Sequence, residues 1–478
     1  MSKIKLKNIF LGYNDGKNEA IYKNDFEKYF FDYNCIYENL KSKPIFLILG
    51  RKGSGKTILA EYYKKKETSY SHGCEIFSFK DFRFHEIISL KSDDIRPNEY
   101  ILFWEWVILI HYAKLLLRDE SVQDVDSKIK LKKFFEHNYN SLDIETLNIV
   151  DETKKIKIGF PVLGIEYEKG PKTCKHNYLN YIDDLRRIIM RLISSSSRKY
   201  TIFYDELDDR FRDDEIYKNS IVSLIKAARK VNLNFIETRI DAKIILILRS
   251  DIFYILNDAD LNKIKVDNSI SIDWGNKADN TSPLISMILI KVKKSIPALN
   301  DIPDDDLYKI IFPQDINLIE PSRFLLGRTF FRPRDVITYL NLIIDKYKET
   351  EYFGWKGFVE LLPDYSEYFF LEIRNELSGH LSDTEIDQGT LLIKQFNKFE
   401  FSYEEIKTYF DKNKSIFDKI DLEKILRIFF KFSIVGNKWY NAQNQKDYFR
   451  WSYRDNKAEL NFDNKIVLHL GLRVELSN

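Results

Sequence analysis

The sequence predicts an α/β protein with a parallel β-sheet between layers of helices. Residues 44–49 form an apolar run that is too short for a helix and shows no polar alternation, as expected of a strand buried on both faces. A helical pattern follows at 56–65, and further apolar runs alternate with helical patterns. Such alternation is typical of parallel sheets. We expect the other strands of the sheet at 75–79, 201–204, 244–248 and 269–273.

Four regions are expected along the chain. They are an N-terminal helical segment (1–43, with a helix at 24–40), an α/β core (44–278), a helical region (279–380) and a smaller C-terminal domain (381–478). Within the core, residues 118–176 have the character of an insertion, and alternating apolar residues around a proline predict a hairpin at 155–168.

The composition excludes several classes of protein. Hydrophobic residues make up 44% and charged residues 31% of the 478 residues, as in a folded globular chain. The formal net charge of +2 argues against a surface that is basic throughout, although not against a local nucleic-acid patch. Three cysteines are too few for a disulfide framework and indicate a reducing compartment.

The longest apolar run, residues 100–117, is long enough to span a bilayer. Glu105, His111 and Lys114 interrupt it, and a single charge at the bilayer centre costs about 2.5–3.5 kcal/mol. We therefore expect a helix buried in a large core, no membrane span, and a cytoplasmic protein.

Residues 50–57 read Gly-Arg-Lys-Gly-Ser-Gly-Lys-Thr and match the pattern G-x-x-x-x-G-K-[ST] in full, between a strand and a helix. Glycines let successive backbone N–H groups point at a phosphate, and the helix adds the positive end of its dipole. In this chemistry Lys56 reaches the β- and γ-phosphates and the Thr57 hydroxyl binds Mg²⁺. The predicted nucleotide-binding residues are Gly50, Arg51, Lys52, Gly53, Ser54, Gly55, Lys56, Thr57 and Ile58.

A second candidate lies at the end of the expected strand 201–204, where Asp205 and Glu206 follow. In phosphate-transferring enzymes with such a loop, an aspartate at this strand end orders the Mg²⁺ shell and an adjacent glutamate polarises the attacking water. We predict that Asp205 binds the metal with the loop threonine and that Glu206 is catalytic. A solvated acidic turn is the alternative, since Asp208 and Asp209 follow.

Residues 50–57 resemble the Walker A loop of P-loop NTPases. With residues 200–206 they resemble the additional-strand, catalytic-glutamate branch of P-loop ATPases, which includes the AAA+, STAND and KAP groups. The motif that reads guanine in small GTPases is not apparent, so the resemblance implies ATP with Mg²⁺. It also implies that the core is followed by an α-helical lid at 279–380 and a winged-helix-like domain at 381–478.

The resemblance also implies arginines that sense the γ-phosphate. In the AAA+ and STAND groups the fourth strand ends in a polar sensor, and here Arg249 or Ser250 stands at that place. A second sensor opens a lid helix, where Arg334 is the best match and Arg332 the runner-up. The alternatives are a surface arginine after a strand and an ion pair with Asp335 at a helix start.

An arginine finger supplied by a neighbouring copy would imply a ring or a dimer. The sequence does not choose among the candidates Arg210, Arg212, Arg229 and Arg239.

The C-terminal residues combine three helical patterns at 391–434 with two aromatic strand-like pieces at 438–441 and 448–453, which resembles a winged helix-turn-helix. Between 431 and 454 five basic residues stand against one acidic residue, with aromatic residues interleaved. This is a modest nucleic-acid footprint. The alternative is a structural or partner-docking module.

The resemblance implies a switch ATPase that couples nucleotide state to homo-oligomer assembly and to control of a partner effector protein, as in bacterial anti-phage defence. The alternative is a DNA-binding ATPase of the origin-recognition or loader type, which would use the C-terminal domain. A nucleotide-binding scaffold without hydrolysis is a third possibility.

Overall fold

The computed structural model describes residues 4–79, 97–139, 146–150, 155–159, 182–207, 215–455 and 457–477. The chain divides into two compact units. Residues 34–50 and 56–272 form the first, here named the α/β unit. Residues 1–33, 51–55 and 273–478 form the second, here named the C-terminal unit.

The α/β unit is built on a parallel sheet. Its described strands are β1 (Leu47–Gly50), β2 (His72–Ser78), β3 (Thr146–Val150), β4 (Lys155–Gly159), β5 (Lys199–Asp205), β6 (Ala242–Arg249) and β7 (Ser269–Ile272). Five of them form one sheet in the order β2-β5-β6-β1-β7, and each neighbouring pair is parallel. The predicted fold class, a parallel sheet flanked by helices, is confirmed. Strand β6 lies between β1 and β5.

Helices cover the sheet. Up to residue 272 the described helices are α1 (Gly16–Tyr22), α2 (Ile36–Ser42), α3 (Lys56–Glu67), α4 (Pro97–Arg118), α5 (Val125–Tyr139), α6 (Ile182–Ser194), α7 (Glu215–Glu237), α8 (Ser250–Ile255) and α9 (Leu261–Asn268). Helix α1 belongs to the C-terminal unit and the others to the α/β unit. Residues 47–49 and 244–248 are buried, which explains why these strands are apolar throughout.

Helix α4 is the described helix that is long and apolar enough to cross a membrane, and 72% of its most apolar window is buried within the protein. Glu105 is fully buried and accepts hydrogen bonds from Arg186 at 2.7 Å and Lys230 at 2.8 Å. His111 Nδ1 lies 2.6 Å from the Tyr204 hydroxyl. Burial lowers the pKa of His111 and raises that of Tyr204, so both stay neutral. The expected buried helix is confirmed.

The N-terminal segment differs from the prediction of a helix at 24–40. Only its last part, in α2, is α-helical, and short 3₁₀ turns precede it at Phe26–Lys28 and Tyr33–Cys35. Asn34 and Cys35 have φ angles of 57° and 52°, in the left-handed region that a right-handed helix does not contain. The apolar spacing instead reflects buried side chains such as Phe26, which lies in a short 3₁₀ turn and not in an α-helix.

The insertion contains an antiparallel hairpin of β3 and β4. The first residues of the predicted hairpin at 155–168 are therefore a strand, paired with the segment before them. Residues 160–181, which include the predicted second arm, lie outside the described residues.

Past residue 280 the C-terminal unit is first helical. Its described helices are α10 (Pro283–Ser295), α11 (Asp304–Ile311), α12 (Pro321–Leu326), α13 (Pro333–Lys346), α14 (Trp355–Glu360), α15 (Leu362–Leu377), α16 (Asp383–Phe396), α17 (Tyr403–Lys412) and α18 (Leu422–Lys431). Prolines occupy the first turns of α10, α12 and α13, where a missing N–H breaks no helical hydrogen bond.

The end of the chain adds a small sheet. Strands β8 (Glu400–Phe401), β9 (Val435–Asn441), β10 (Lys446–Arg450) and β11 (Lys465–Leu468) pair antiparallel in the order β10-β9-β11-β8. Helices α17 and α18 and the β9–β10 hairpin overlap the elements predicted at 391–453, whereas α16 begins eight residues before the predicted range and β8 and β11 were not predicted. Ser382 and Ser402 begin α16 and α17 with capping boxes.

The first residues of the chain run along α13, which explains why they belong to the C-terminal unit. Leu6 N donates to Thr350 O at 2.9 Å, and the Asn341 amide donates to Gly12 O at 2.9 Å. The Thr338 hydroxyl donates to Asn14 Oδ1 at 2.7 Å. The segment thus extends from the end of α13 to the helix start that carries the predicted sensor.

Candidate functional site

The predicted phosphate loop connects β1 to α3. Gly53 and Gly55 have φ angles of 78° and 100°, a region in which residues with a Cβ atom are strained. At Gly53 a Cβ atom would also be crowded, because it would lie 3.1 Å from Cβ of Arg334. Backbone conformation therefore requires both glycines, and close approach adds a second reason at Gly53.

Lys56 opens α3, and its side chain is 9% exposed. Its ammonium donates to the Gly50 carbonyl at 2.9 Å, so the side chain folds back toward the start of the loop. A buried lysine whose donors face the loop backbone is placed to meet a phosphate.

Thr57 and Asp205 meet although 148 positions separate them in the sequence. The Thr57 hydroxyl donates to Asp205 Oδ2 at 2.7 Å, while Asp205 Oδ1 accepts from the Glu206 backbone N–H at 2.8 Å. Asp205 ends β5 and is nearly buried. The structure thus brings together the two residues predicted to bind the metal.

Glu206 follows the strand with a φ of 59°, a left-handed conformation that is uncommon for glutamate and turns the chain sharply. The Ser78 hydroxyl, which ends the neighbouring strand β2, donates to Glu206 Oε2. Sequence reasoning missed Ser78. The available signal was its place at the end of the expected second strand, since neighbouring parallel strands end at the same edge of a sheet.

Arg249 ends β6, where it is in register with Gly50 of the adjacent strand β1. Its guanidinium donates to both carboxylate oxygens of Asp251, at 3.1 Å and 2.6 Å. Ser250 is the first residue of α8. The structure therefore brings Arg249 beside the first residue of the phosphate loop, held by an aspartate.

The two arginines before α13 have different surroundings. Arg332 is 2% exposed and is bound by Asp335 at 2.8 Å and Glu376 at 3.0 Å. It also donates to the Lys52 carbonyl at 3.2 Å. These carboxylates keep the pKa of Arg332 above its usual value despite burial. Arg332 is thus the arginine that pairs with Asp335, as the alternative interpretation proposed for this helix start.

Arg334 lies against the phosphate loop itself. Its backbone N–H donates to Gly53 O at 3.4 Å, and its side chain covers that glycine. The guanidinium donates to Asn14 O at 2.9 Å and to Glu372 at 3.0 Å. Sequence reasoning missed Glu372, because it lies on α15, 38 positions after Arg334, and no local pattern links the two residues.

Residues Arg51 and Ser54 of the loop contact aromatic residues of the unit to which they belong, the C-terminal unit. Arg51 donates to Tyr453 O at 3.4 Å and stacks at 5.2 Å from the Phe330 ring centroid. The Trp274 indole donates to Ser54 O at 2.9 Å. Burial and four arginines, Arg51 among them, lower the pKa of the nearby His469 to about 3, so this histidine is neutral at pH 7.

Two of the candidates for an arginine finger, Arg229 and Arg239, lie in the described part of the chain. Arg229 lies within α7, and Arg239 follows that helix in an exposed left-handed turn with a φ of 56°. Arg210 and Arg212 lie outside the described residues.

A parallel sheet, a glycine-containing loop between its first strand and the next helix, and an aspartate that meets the loop threonine define a P-loop fold. Residues 283–374 match the family described as the FunZ-associated C-terminal helical domain. No curated protein matches the chain.

Two solved structures match most of the chain at low sequence identity. A Walker-type ATPase of Pyrococcus abyssi is 12% identical with a TM-score of 0.40, and the match covers 96% of each chain. The ORC1 protein of Aeropyrum pernix, solved in complex with DNA, is 11% identical with a TM-score of 0.36, over 95% of this chain and 92% of that chain.

Proposed function

We propose that this protein binds ATP with Mg²⁺ at residues 50–57 and hydrolyses it. The observation that carries the proposal is the 2.7 Å hydrogen bond between Thr57 and Asp205. A hydroxyl and a carboxylate side by side suit Mg²⁺, which takes few protein oxygens and completes its shell with water and phosphate oxygens. Mg²⁺ bound there would neutralise part of the phosphate charge.

The roles of the other residues follow from their contacts. The backbone N–H groups of the loop and of the first turn of α3 would bind the phosphates. Lys56 would exchange its hydrogen bond to Gly50 O for the β- and γ-phosphates. Glu206, oriented by Ser78, would position the attacking water and accept its proton.

We further assign the core to the additional-strand, catalytic-glutamate branch, with AAA+, STAND or KAP character. Two features support the assignment: strand β6 separates β1 from β5, and Glu206 directly follows Asp205. Arg249 and Arg334 are the proposed γ-phosphate sensors. The residues at 381–478 are proposed to form the winged-helix-like domain.

In this proposal the protein is a switch with slow or regulated turnover, which assembles into homo-oligomers and controls a partner effector in the bacterial cytoplasm. The contact between Arg334 and Gly53 supports a switch, because a change in the conformation of the loop would alter a contact at the start of α13. The setting in anti-phage defence rests on the family resemblance.

The proposal is tested by calorimetry with ATP in the presence and absence of Mg²⁺. Asp205→Asn should lose most of the gain in affinity that Mg²⁺ brings, about tenfold or more, because the amide is a poor metal ligand. Binding of metal-free ATP should stay close to that of the wild type, since the phosphate cradle is intact.

Asp241→Asn is the matched control, because this exposed aspartate precedes β6. A wild-type protein that does not bind ATP, or whose affinity is indifferent to Mg²⁺, would overturn the proposal.

The C-terminal sheet favours DNA binding as a second candidate function. Strand β10 is an edge strand whose residues are all exposed. Trp439 stacks on Tyr448 with ring centroids 5.8 Å apart, and the Arg450 guanidinium lies 5.6 Å from the Trp439 centroid. The exposed Tyr448 and the half-buried Trp439 beside an arginine suit the stacking and phosphate contacts of nucleic-acid binding.

The basic residues between 431 and 454 differ in how exposed and how paired they are. Lys438 is paired with Glu400 at 2.8 Å and Asp447 at 3.2 Å. Trp451 is buried over Gly436, and Tyr453 packs against Arg51. The exposed hairpin therefore offers Lys446 and Arg450 as its main cations.

Fluorescence anisotropy with a labelled DNA duplex at several salt concentrations tests this second function. Removing Lys446 and Arg450 together by alanine substitution should lower the salt slope by about 2, because two phosphate contacts are lost. The exposed Lys414→Ala serves as the control. Unchanged binding in the double variant, or none in the wild type, would leave the hairpin a structural element.

A further inference from the structure

One carboxylate of α15 serves two cations at the phosphate loop. Glu372 lies 3.0 Å from Nη1 of Arg334 and 3.5 Å from Nζ of Lys52. The three side chains are 20%, 22% and 29% exposed, respectively, so a solute can reach them. All of them belong to the C-terminal unit.

The nearby Arg332 has a different number of carboxylate partners. Arg332 is bound by two carboxylates, Asp335 and Glu376, and is closed off from solvent. At Arg334 and Lys52, by contrast, one carboxylate faces two positive charges. Arg334 and Lys52 share a single carboxylate between them, so each is less fully paired than Arg332, and a more highly charged anion can compete for both.

Arg334 is held near the loop whether or not Glu372 binds it. Its backbone N–H contacts Gly53 O, and its Nε donates to Asn14 O at 2.9 Å. Only Nη1 donates to Glu372 among the described contacts, so the carboxylate can leave without moving the arginine from the loop.

We propose that Glu372 is a built-in competitor of the nucleotide, occupying Lys52 and Arg334 until the phosphates of ATP displace it. The inference rests on the proposed function, because it needs ATP at this loop. The triphosphate carries more negative charge than one carboxylate, so it wins the two cations at the cost of freeing Glu372. Glu372 is thus a positioning residue that sets the ATP concentration at which the loop fills.

The test compares Glu372→Gln with the wild type by calorimetry with Mg-ATP and with adenosine, which carries no phosphate. The variant should bind ATP about threefold to tenfold more tightly, because its neutral amide competes less for two partly exposed cations. The KM for ATP should fall in parallel, and adenosine binding should not change. Glu367→Gln, an exposed position on the same helix, is the control and should match the wild type.

Two further variants separate charge from packing. Glu372→Asp keeps the charge and should return ATP affinity toward that of the wild type. In an Arg334→Ala background the gain in ATP affinity from Glu372→Gln should shrink, because Arg334, one of the two cations that Glu372 contacts, is already absent.

Weaker or unchanged ATP binding by Glu372→Gln, or equal tightening by Glu372→Asp, would overturn the inference. It would leave the proposed function intact as long as the wild type binds ATP through Lys56. Loss of ATP binding in the wild type itself would instead reject the proposed function.

Discussion

Replacing Lys56 by alanine should weaken ATP binding by about 100-fold or more, since charged hydrogen bonds to the phosphates are lost. The ammonium already lies at the loop, 2.9 Å from Gly50 O, and the following helix turn holds the residue in place. Calorimetry with Mg-ATP measures the effect. Circular dichroism during heating should show that the fold persists, because Lys56 opens a helix and contributes little apolar packing.

Lys65→Ala is the matched control for this experiment. Lys65 is an exposed lysine on the same helix, so its loss changes net charge equally without touching the loop. Wild-type ATP affinity in Lys56→Ala would show that residues 50–57 are not the nucleotide site.

Glu206→Gln should lower the rate of ATP hydrolysis by about 100-fold to 10,000-fold while ATP affinity stays within a few-fold. The amide keeps the size of the side chain and its place beside Ser78, and it loses the ability to accept a proton. Steady-state phosphate release measures turnover, and calorimetry measures binding. The variant should accumulate the ATP-bound assembly, which mass measurement in the presence of ATP detects.

Glu237→Gln, at the exposed end of α7, is the control and should hydrolyse ATP at the wild-type rate. Unchanged turnover in Glu206→Gln would make the acidic pair structural. Asp208 and Asp209, which lie outside the described residues, would then be the next residues to test.

Local features were predictable from the sequence because their causes are local. A short apolar run rich in β-branched and aromatic residues between helical patterns predicts a strand, and β1, β5, β6 and β7 appear within a few residues of their expected bounds. The phosphate loop is a contiguous motif, and its glycines Gly53 and Gly55 have positive φ angles, which glycine adopts without strain. The prediction of a helix at 24–40 was wrong, because apolar spacing indicates which side chains are buried and does not exclude turns such as that at Asn34.

What the sequence by itself determined about this protein is the fold class, the loop at 50–57 and the acidic pair formed by Asp205, which ends β5, and the following Glu206. Each follows from residue order within one segment. Only the tertiary structure decided that Thr57 meets Asp205, that Ser78 holds Glu206, and that Arg332 is a buried ion pair while Arg334 rests on Gly53. It also decided that Glu372 lies between Lys52 and Arg334. Apart from the Arg332–Asp335 pair, these contacts join residues tens to hundreds of positions apart, and packing of whole elements, not local preference, sets which of those side chains meet.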